Sequence, residues 1–503
     1  MSEFDSTQVS ALQLAARITA GQLSPVEAVE SHIRRIEEVN PSINALVADR
    51  FDAARAEARA MEQQLNRDSS AVRPLLGVPF SVKEMIAVRG MPATFGCGNR
   101  RGRIATADAT AVARLRAAGA IVLGVTNVPE WGMWFETFNS VYGRTSNPYN
   151  VACTPGGSSG GEGAIVGAGG SAFGLGTDIG GSVRMPAAFC GVYGHKPSAG
   201  LVPLTGAYPV YADGPGAPGM KVASYLTIAP LARSARDLHL LLRVMAGDDG
   251  TDPNARDISL KGIDDIAWRG RTVLLLPDPR IRLARSASRP LQDAVRAAGR
   301  VFESRGACVS EAPSDLLQHA ADAWFASLQS VGGPSFAEIL GDGVRVRLAR
   351  EVAATMIGRG SYSWPALYFL AGEKLGRKSE RSLRRALQQR QCMADRLSNL
   401  LGNDGIILSP VHPRVAPRHN TAVLHPFDFL CTAAFNALGL PATSAPAGFD
   451  SDGMPIAVQI AARDGGDHLT IAAASVLEDE WGAWTPASAA ERAPNMTLEN
   501  PAG

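Results

Sequence analysis

Two neighbouring runs set serines among glycines: Pro155-Gly-Gly-Ser-Ser-Gly-Gly161 and Gly176-Thr-Asp-Ile-Gly-Gly-Ser-Val-Arg184. A serine hydroxyl becomes a nucleophile once a base takes its proton. Glycine costs folding entropy, so two such turns close together suggest backbone amides that must approach a phosphate, a cofactor or a reacting carbonyl. A phosphate loop would need GxxxxGK[ST], and no lysine in the chain follows a glycine in that frame. Gly214-Pro-Gly-Ala-Pro-Gly219 matches GxGxxG, but its prolines stand where a dinucleotide fold starts a helix, so a loop is expected there. A flexible Gly/Ser linker is the bland alternative. It fits poorly with the apolar residues threaded through EGAIVGAGGSAFGLGTDIGG, which call for burial. Acyl transfer is left as the chemistry to pursue.

Two kinds of base could activate these serines. Gly156 to Gly160 fits GxSxG, which makes Ser158 a candidate nucleophile with a histidine partner, and His195, His412, His419 and His425 are available. Pro155 stands where the strand feeding such an elbow should be, and no HGGG run accompanies it. The last three histidines lie in HPRVAPRHNTAVLHPF, which lacks metal-ligand spacing and reads as a loop. The other base is lysine. The chain holds six lysines against 43 arginines among its 49 basic residues, and Lys83 sits inside the apolar run GVPFSVKEMI. Lysine can lose its proton when buried and arginine cannot. Taken alone, Lys83 reads as half of an ion pair with Glu84; beside two serine turns it reads as a base.

Gly77-Val-Pro-Phe-Ser-Val-Lys83, Pro155 to Gly161 and Gly176 to Arg184 occur in that order, followed by PAAFCGVYGHKP, Asn436-Ala-Leu-Gly-Leu-Pro441 and Gly453-Met-Pro-Ile-Ala-Val-Gln459. Together they resemble the amidase signature family, most of all its fatty-acid-amide-hydrolase-like branch. The resemblance implies that Ser182 attacks an amide carbonyl, that Ser158 bridges it to a neutral Lys83, and that the peptide between Gly157 and Ser158 is cis. It places the N–H groups of Ile179, Gly180, Gly181 and Ser182 around the oxyanion. Asp178 and Arg184 brace that turn, while Thr177 and Cys190 pack. Trp131-Gly132-Met133-Trp134-Phe135 matches the acyl-binding region, with Gly132 and Met133 at the substrate and SYSWPALYFLAGEKLG as further aromatic lining. Glu84 stands where the family more often has Asp, a departure that fits the hydrolase branch. The implied reaction converts a small amide with an apolar acyl or aryl group into acid plus amine or ammonia, through an acyl-enzyme, with no metal or other cofactor. Two rivals stand beside it: a histidine-dependent esterase of the α/β-hydrolase type acylated on Ser158, and a non-catalytic amidotransferase-like subunit.

The elements that must hold these residues follow from the rest of the chain. At 503 residues, 46% apolar and 19% charged with a net charge of +1, it reads as an ordinary soluble protein with no charge-based reason to bind nucleic acid or acidic lipid. The N-terminus lacks the pattern of a signal peptide, no apolar run reaches bilayer length, and six scattered cysteines predict free thiols. A cytoplasmic location is expected, without a membrane anchor; the partner expected is a small-molecule amide, and a homodimer is the one assembly considered. Ser24-Pro-Val-Glu27 has the form of a capping box. Strand-like runs at LLGVPFSVKEMI, AIVLGVTNV, RTVLLLPD, GIILSP and MPIAVQIA alternate with helical stretches such as TAVARLRAAG and RPLQDAVRAAGRVFESRG. This pattern predicts an α/β fold: one large domain with an open, twisted, mixed sheet covered by helices on both faces. The expected boundaries are a helical segment at 1–68 packed on the domain, the domain itself at 69–485 with a variable substrate-shaping part at 240–400, and a tail at 486–503.

Overall fold

A computed structural model describes residues 5–67, 73–208, 225–332 and 335–487. Gly214 to Gly219, expected to be a loop, lies outside the described residues. An 11-stranded mixed sheet spans the molecule. It runs from Leu46–Asp49 at one edge through Ile121–Thr126, Pro79–Lys83, Phe173–Asp178, Thr227–Ala232, Tyr193–Lys196, Ala442–Phe449, Pro455–Ala462, Ile406–Pro410 and Thr272–Leu275 to Cys308–Glu311 at the other. The fold class is the one the sequence predicts. One element departs from expectation: the N-terminal segment is not wholly helical, since Leu46–Asp49 pairs antiparallel with Ile121–Thr126 and forms the sheet edge.

Strand periodicity explains how one sheet supports packing on both of its faces. Neighbouring residues of a strand point to opposite faces, and the packing follows this rule. Ile406, Leu408, Val458 and Ile460 join helices Thr110–Ala117, Ala235–Met245, Arg289–Ser304 and Asp467–Trp481 in one cluster. Ile407, Ala457 and Ala461 pack with Arg184–Phe189 and Leu430–Ala437 in another. A third cluster joins Ile121 and Leu123 to helices Pro25–Ile43 and Gly160–Gly167. Helices therefore cover both faces. Helix Pro25–Ile43 begins with the reciprocal Ser24 and Glu27 hydrogen bonds of a capping box; a cap of this kind is worth about 0.5 to 2 kcal/mol.

Three neighbouring strands position the serines and the lysine. Pro79–Lys83 lies between Ile121–Thr126 and Phe173–Asp178, parallel to both. Their C-terminal ends therefore lie on one side of the sheet, where the chain turns into the loop carrying Ser182. Helix Gly160–Gly167 starts just after Ser158 and Ser159 and packs beneath the same strands. No helix among the described residues is long and apolar enough to cross a membrane.

Candidate active site

Lys83 ends its strand with its side chain wholly buried. Its Nζ donates to Ser158 Oγ at 2.7 Å and to Thr177 Oγ1 at 2.9 Å. Burial disfavours the ammonium and brings the lysine down to about 7, against the opposing pull of the Asp178 and Glu162 charges. A lysine in this state is neutral in a large fraction of molecules at neutral pH, and the contact can then run the other way, Ser158 donating its proton to Nζ. The alternative for Lys83, an ion pair with Glu84, does not occur. As the next residue along the chain, Glu84 points elsewhere and accepts from the backbone N–H of Thr94 and Phe95, each at 2.6 Å, and from the hydroxyls of Thr94 and Tyr142. Its carboxyl, raised to about 7 by burial, braces the Thr94–Phe95 turn.

The Gly157–Ser158 peptide bond is cis. Ser158 is preceded by loop and followed by a helix, whereas the loop carrying Ser182 follows the strand Phe173–Asp178 directly. The two serine segments are tied together, the Ser159 amide donating to the Ser182 carbonyl at 3.0 Å. Gly132 sits against this junction, since a Cβ built there would stand 3.4 Å from Ser158 Oγ. Thr177, expected only to pack, is a direct partner of the lysine. Cys190 is buried, as expected.

Asp178 organises the turn around Ser182. Its carboxylate accepts from the amides of Gly181 at 2.8 Å and Val183 at 3.1 Å, and from Arg184 Nε and a terminal Arg184 nitrogen at 3.1 and 3.0 Å. Burial alone would raise this carboxyl, but the Arg184 guanidinium and the hydrogen bonds from Arg184 and Asn436 outweigh it and hold Asp178 well below the usual carboxylate range. Arg184 in turn donates to Gln459 Oε1, to the Thr432 carbonyl and to Asn436 Oδ1. This network modifies one expectation. The Gly181 N–H is taken by Asp178, so of the four amides expected to face the oxyanion, those of Ile179, Gly180 and Ser182 are left for that task. Gly181 is needed for a different reason: its φ is +115°, and a Cβ there would lie 2.0 Å from Thr432 Oγ1.

A row of aromatic rings leads outward from the turn. The Trp324 indole N–H donates to the Ile179 carbonyl at 2.8 Å. Trp324 meets Phe429 edge-on at 5.0 Å between centroids, Phe429 stacks on Phe135 at 6.0 Å, and Phe135 stacks on Trp134 at 4.2 Å. Trp134 then meets Tyr368, from the expected aromatic stretch, at 6.1 Å. Trp131 does not belong to this row. It is buried against Phe95 and Tyr208 with its indole N–H on Cys97 Sγ, and Met133 packs on the same cluster. Beside Phe135 a cavity of about 300 Å³ is lined by Met185, Phe189, Val415, Ala416 and Leu424, with the Arg285–Asp428 ion pair in its wall.

The histidines do not serve either serine. His195 is buried with one ring nitrogen on Thr443 and the other on Asp467. His412 bonds the Arg414 carbonyl and His419 the Val151 carbonyl, while His425 is exposed. One buried acid near the lysine was not anticipated from sequence. Glu162, in the first turn of helix Gly160–Gly167, accepts from the hydroxyls of Ser81 and Thr126, each at 2.7 Å. Its only signal is a carboxylate inside an otherwise small and apolar helix.

Comparison with known proteins identifies the family. The family model described as Amidase matches residues 27–471. The chain is 38% identical to fatty-acid amide hydrolase 2-B of Danio rerio over 488 residues, covering 95% of this chain and 90% of that protein. It is 32% identical to an acylamidase of Rhodococcus erythropolis, covering 95% and 96% of the two chains. The crystal structure of a bacterial aryl acylamidase superposes with a TM-score of 0.76 at 27% identity, covering 96% of this chain and 98% of that one. Sequence, fold and comparison converge, and the chain belongs to the amidase family as an amide-hydrolysing enzyme.

Proposed function

We propose that the enzyme hydrolyses a carboxylic amide bearing an apolar acyl or aryl group, with Ser182 acylated and Ser158 and Lys83 relaying the proton. The observation that carries this reading is the 2.7 Å contact between the wholly buried Lys83 amine and Ser158 Oγ. Neutral Lys83 takes the Ser158 proton while Ser158 takes that of Ser182, and the Ser182 oxygen attacks the carbonyl carbon. The N–H groups of Ile179, Gly180 and Ser182 receive the oxyanion; losing one such donor costs about 3 to 4 kcal/mol. The relay then returns the proton to the amide nitrogen, the C–N bond breaks, and amine or ammonia departs. Water, deprotonated through the same relay, cleaves the ester and releases the acid. The occupied ring nitrogens of His195 speak against the histidine-dependent esterase.

A fluorophosphonate probe separates the readings. Peptide mapping after labelling should find the adduct on Ser182. An adduct on Ser158 would favour the esterase, and no adduct a non-catalytic subunit.

The aromatic row from Trp324 to Tyr368 supplies an apolar wall beside the turn, and it supports the acyl preference. In a series of anilides from acetyl to octanoyl, kcat/KM should climb by up to about 0.8 kcal/mol for each methylene buried, roughly fourfold per step. Trp134→Ala should flatten the series. A flat series in the wild type would remove the apolar wall from the reading.

A further inference from the structure

Glu162 has a site built around it that the reaction as described above does not use. Ser81 and Lys83 lie two apart on one strand and so share a face of the sheet. Thr126 is the register partner of Lys83 on the neighbouring strand. Their two hydroxyls converge on Glu162, one on each carboxylate oxygen. The third strand makes room: a Cβ at Gly174 would stand 1.8 Å from Glu162 Oε2. Glu162 is wholly buried, and its described hydrogen bonds come from neutral hydroxyls, one two residues before Lys83 on its strand and the other on the register partner of Lys83. A buried carboxyl held without an ion-pair partner of its own calls for a compensating group, and Lys83 is the cation whose charge acts on it.

We propose that Glu162 is a positioning residue for the proton relay, its carboxylate held by the Ser81 and Thr126 hydroxyls so that it sets the charge state of the Lys83 amine. The proposal rests on Lys83 being the base. The surroundings of the pair are limited. Strand Pro79–Lys83 contributes the Ser81 hydroxyl and the amine, and strand Ile121–Thr126 the Thr126 hydroxyl. Strand Phe173–Asp178 contributes Thr177, a lysine acceptor, and Asp178, which is paired with Arg184 and also favours the charged amine. Helix Gly160–Gly167 contributes Glu162 itself. Burial pushes the carboxyl up and the amine down, and each opposes the shift of the other. A charged Glu162 therefore favours the protonated amine, and while Lys83 holds its proton the relay is idle.

The sign of the effect is fixed. A carboxylate near an amine raises the amine's hold on its proton, so removing it frees Lys83 at lower pH. Glu162→Gln keeps the shape and can bond both hydroxyls, accepting from one and donating to the other, and the acid limb of kcat/KM should move down by about one pH unit. Ser81→Ala removes one donor to the carboxylate, disfavours its charge, and should move the limb in the same direction by less. It decides the matter if Glu162→Gln does not fold. A fall in rate with the limb unmoved in a folded variant would overturn the proposal, because a merely structural contact changes the height of the profile and not its midpoint. A wild-type profile with no acid limb would remove the lysine base, and this proposal with it; a wild-type limb that stays in place in the variants overturns the role of Glu162 alone.

Discussion

Ser182→Ala is expected to lower kcat by on the order of 10⁵- to 10⁶-fold and to leave the melting temperature nearly unchanged, since loss of the nucleophile from a concerted set removes almost all of its contribution. The fold should tolerate the change. The turn is held through the Gly181 and Val183 amides on Asp178 and through Arg184, not through the Ser182 hydroxyl. The Ser182 backbone N–H also survives, so weak carbonyl polarisation remains. Ser158→Ala should cost less, about 10²- to 10⁴-fold, the range of a lost proton-transfer group, because water can occupy the bridge between Ser182 and Lys83. Equal losses in the two variants, measured as kcat on one anilide, would contradict the division of roles.

Lys83→Arg should abolish turnover, by at least about 10³-fold. A guanidinium keeps its proton up to at least about pH 12 and cannot accept another. If Lys83 were one half of a structural ion pair, arginine would preserve it. The hydrogen bonds of Lys83 run instead to two hydroxyls, and the carboxylate of Glu84 is committed to the Thr94–Phe95 turn. Lys83→Met fills similar volume without charge and guards against crowding by the larger guanidinium, and it should lose activity to the same extent. Thermal melts establish that each variant is folded.

Much of this site was legible because its parts are local. The glycine-serine turns, the apolar run around Lys83 and the Asp178–Arg184 spacing are each contained in a few residues. The alternation of strands and helices revealed the α/β class for the same reason. What escaped depends on long-range register. Thr177 meets Lys83 only because the strands carrying them are parallel neighbours, and no local pattern distinguishes that threonine from one that merely packs. Glu162 reaches the Ser81 and Thr126 hydroxyls only once its helix docks beneath three strands. The Gly181 amide is lost to Asp178 through a turn geometry that glycine permits but composition does not reveal. Aromatic residues are ambiguous for another reason, since the same side chains build cores and walls. Trp131 and Trp134 stand close together in one run, and only the docking of Phe95 and Tyr208 on the first and of Tyr368 on the second separates core from wall. The edge strand Leu46–Asp49 is short and flanked by long helices, so its periodicity is too brief to read.

The central claim is that a neutral, buried lysine drives the reaction, and kcat/KM measured from pH 5 to 9 on one anilide tests it most directly. Burial places Lys83 at about 7; below that pH it is protonated and cannot accept the proton of Ser158. The wild-type rate should therefore fall about tenfold for each unit below the midpoint and level off above it, and whatever trace Lys83→Arg retains should lack that limb. A wild-type rate independent of pH across this range, or a folded Lys83→Arg enzyme within about tenfold of wild type, far short of the loss expected for a removed proton acceptor, would contradict the mechanism.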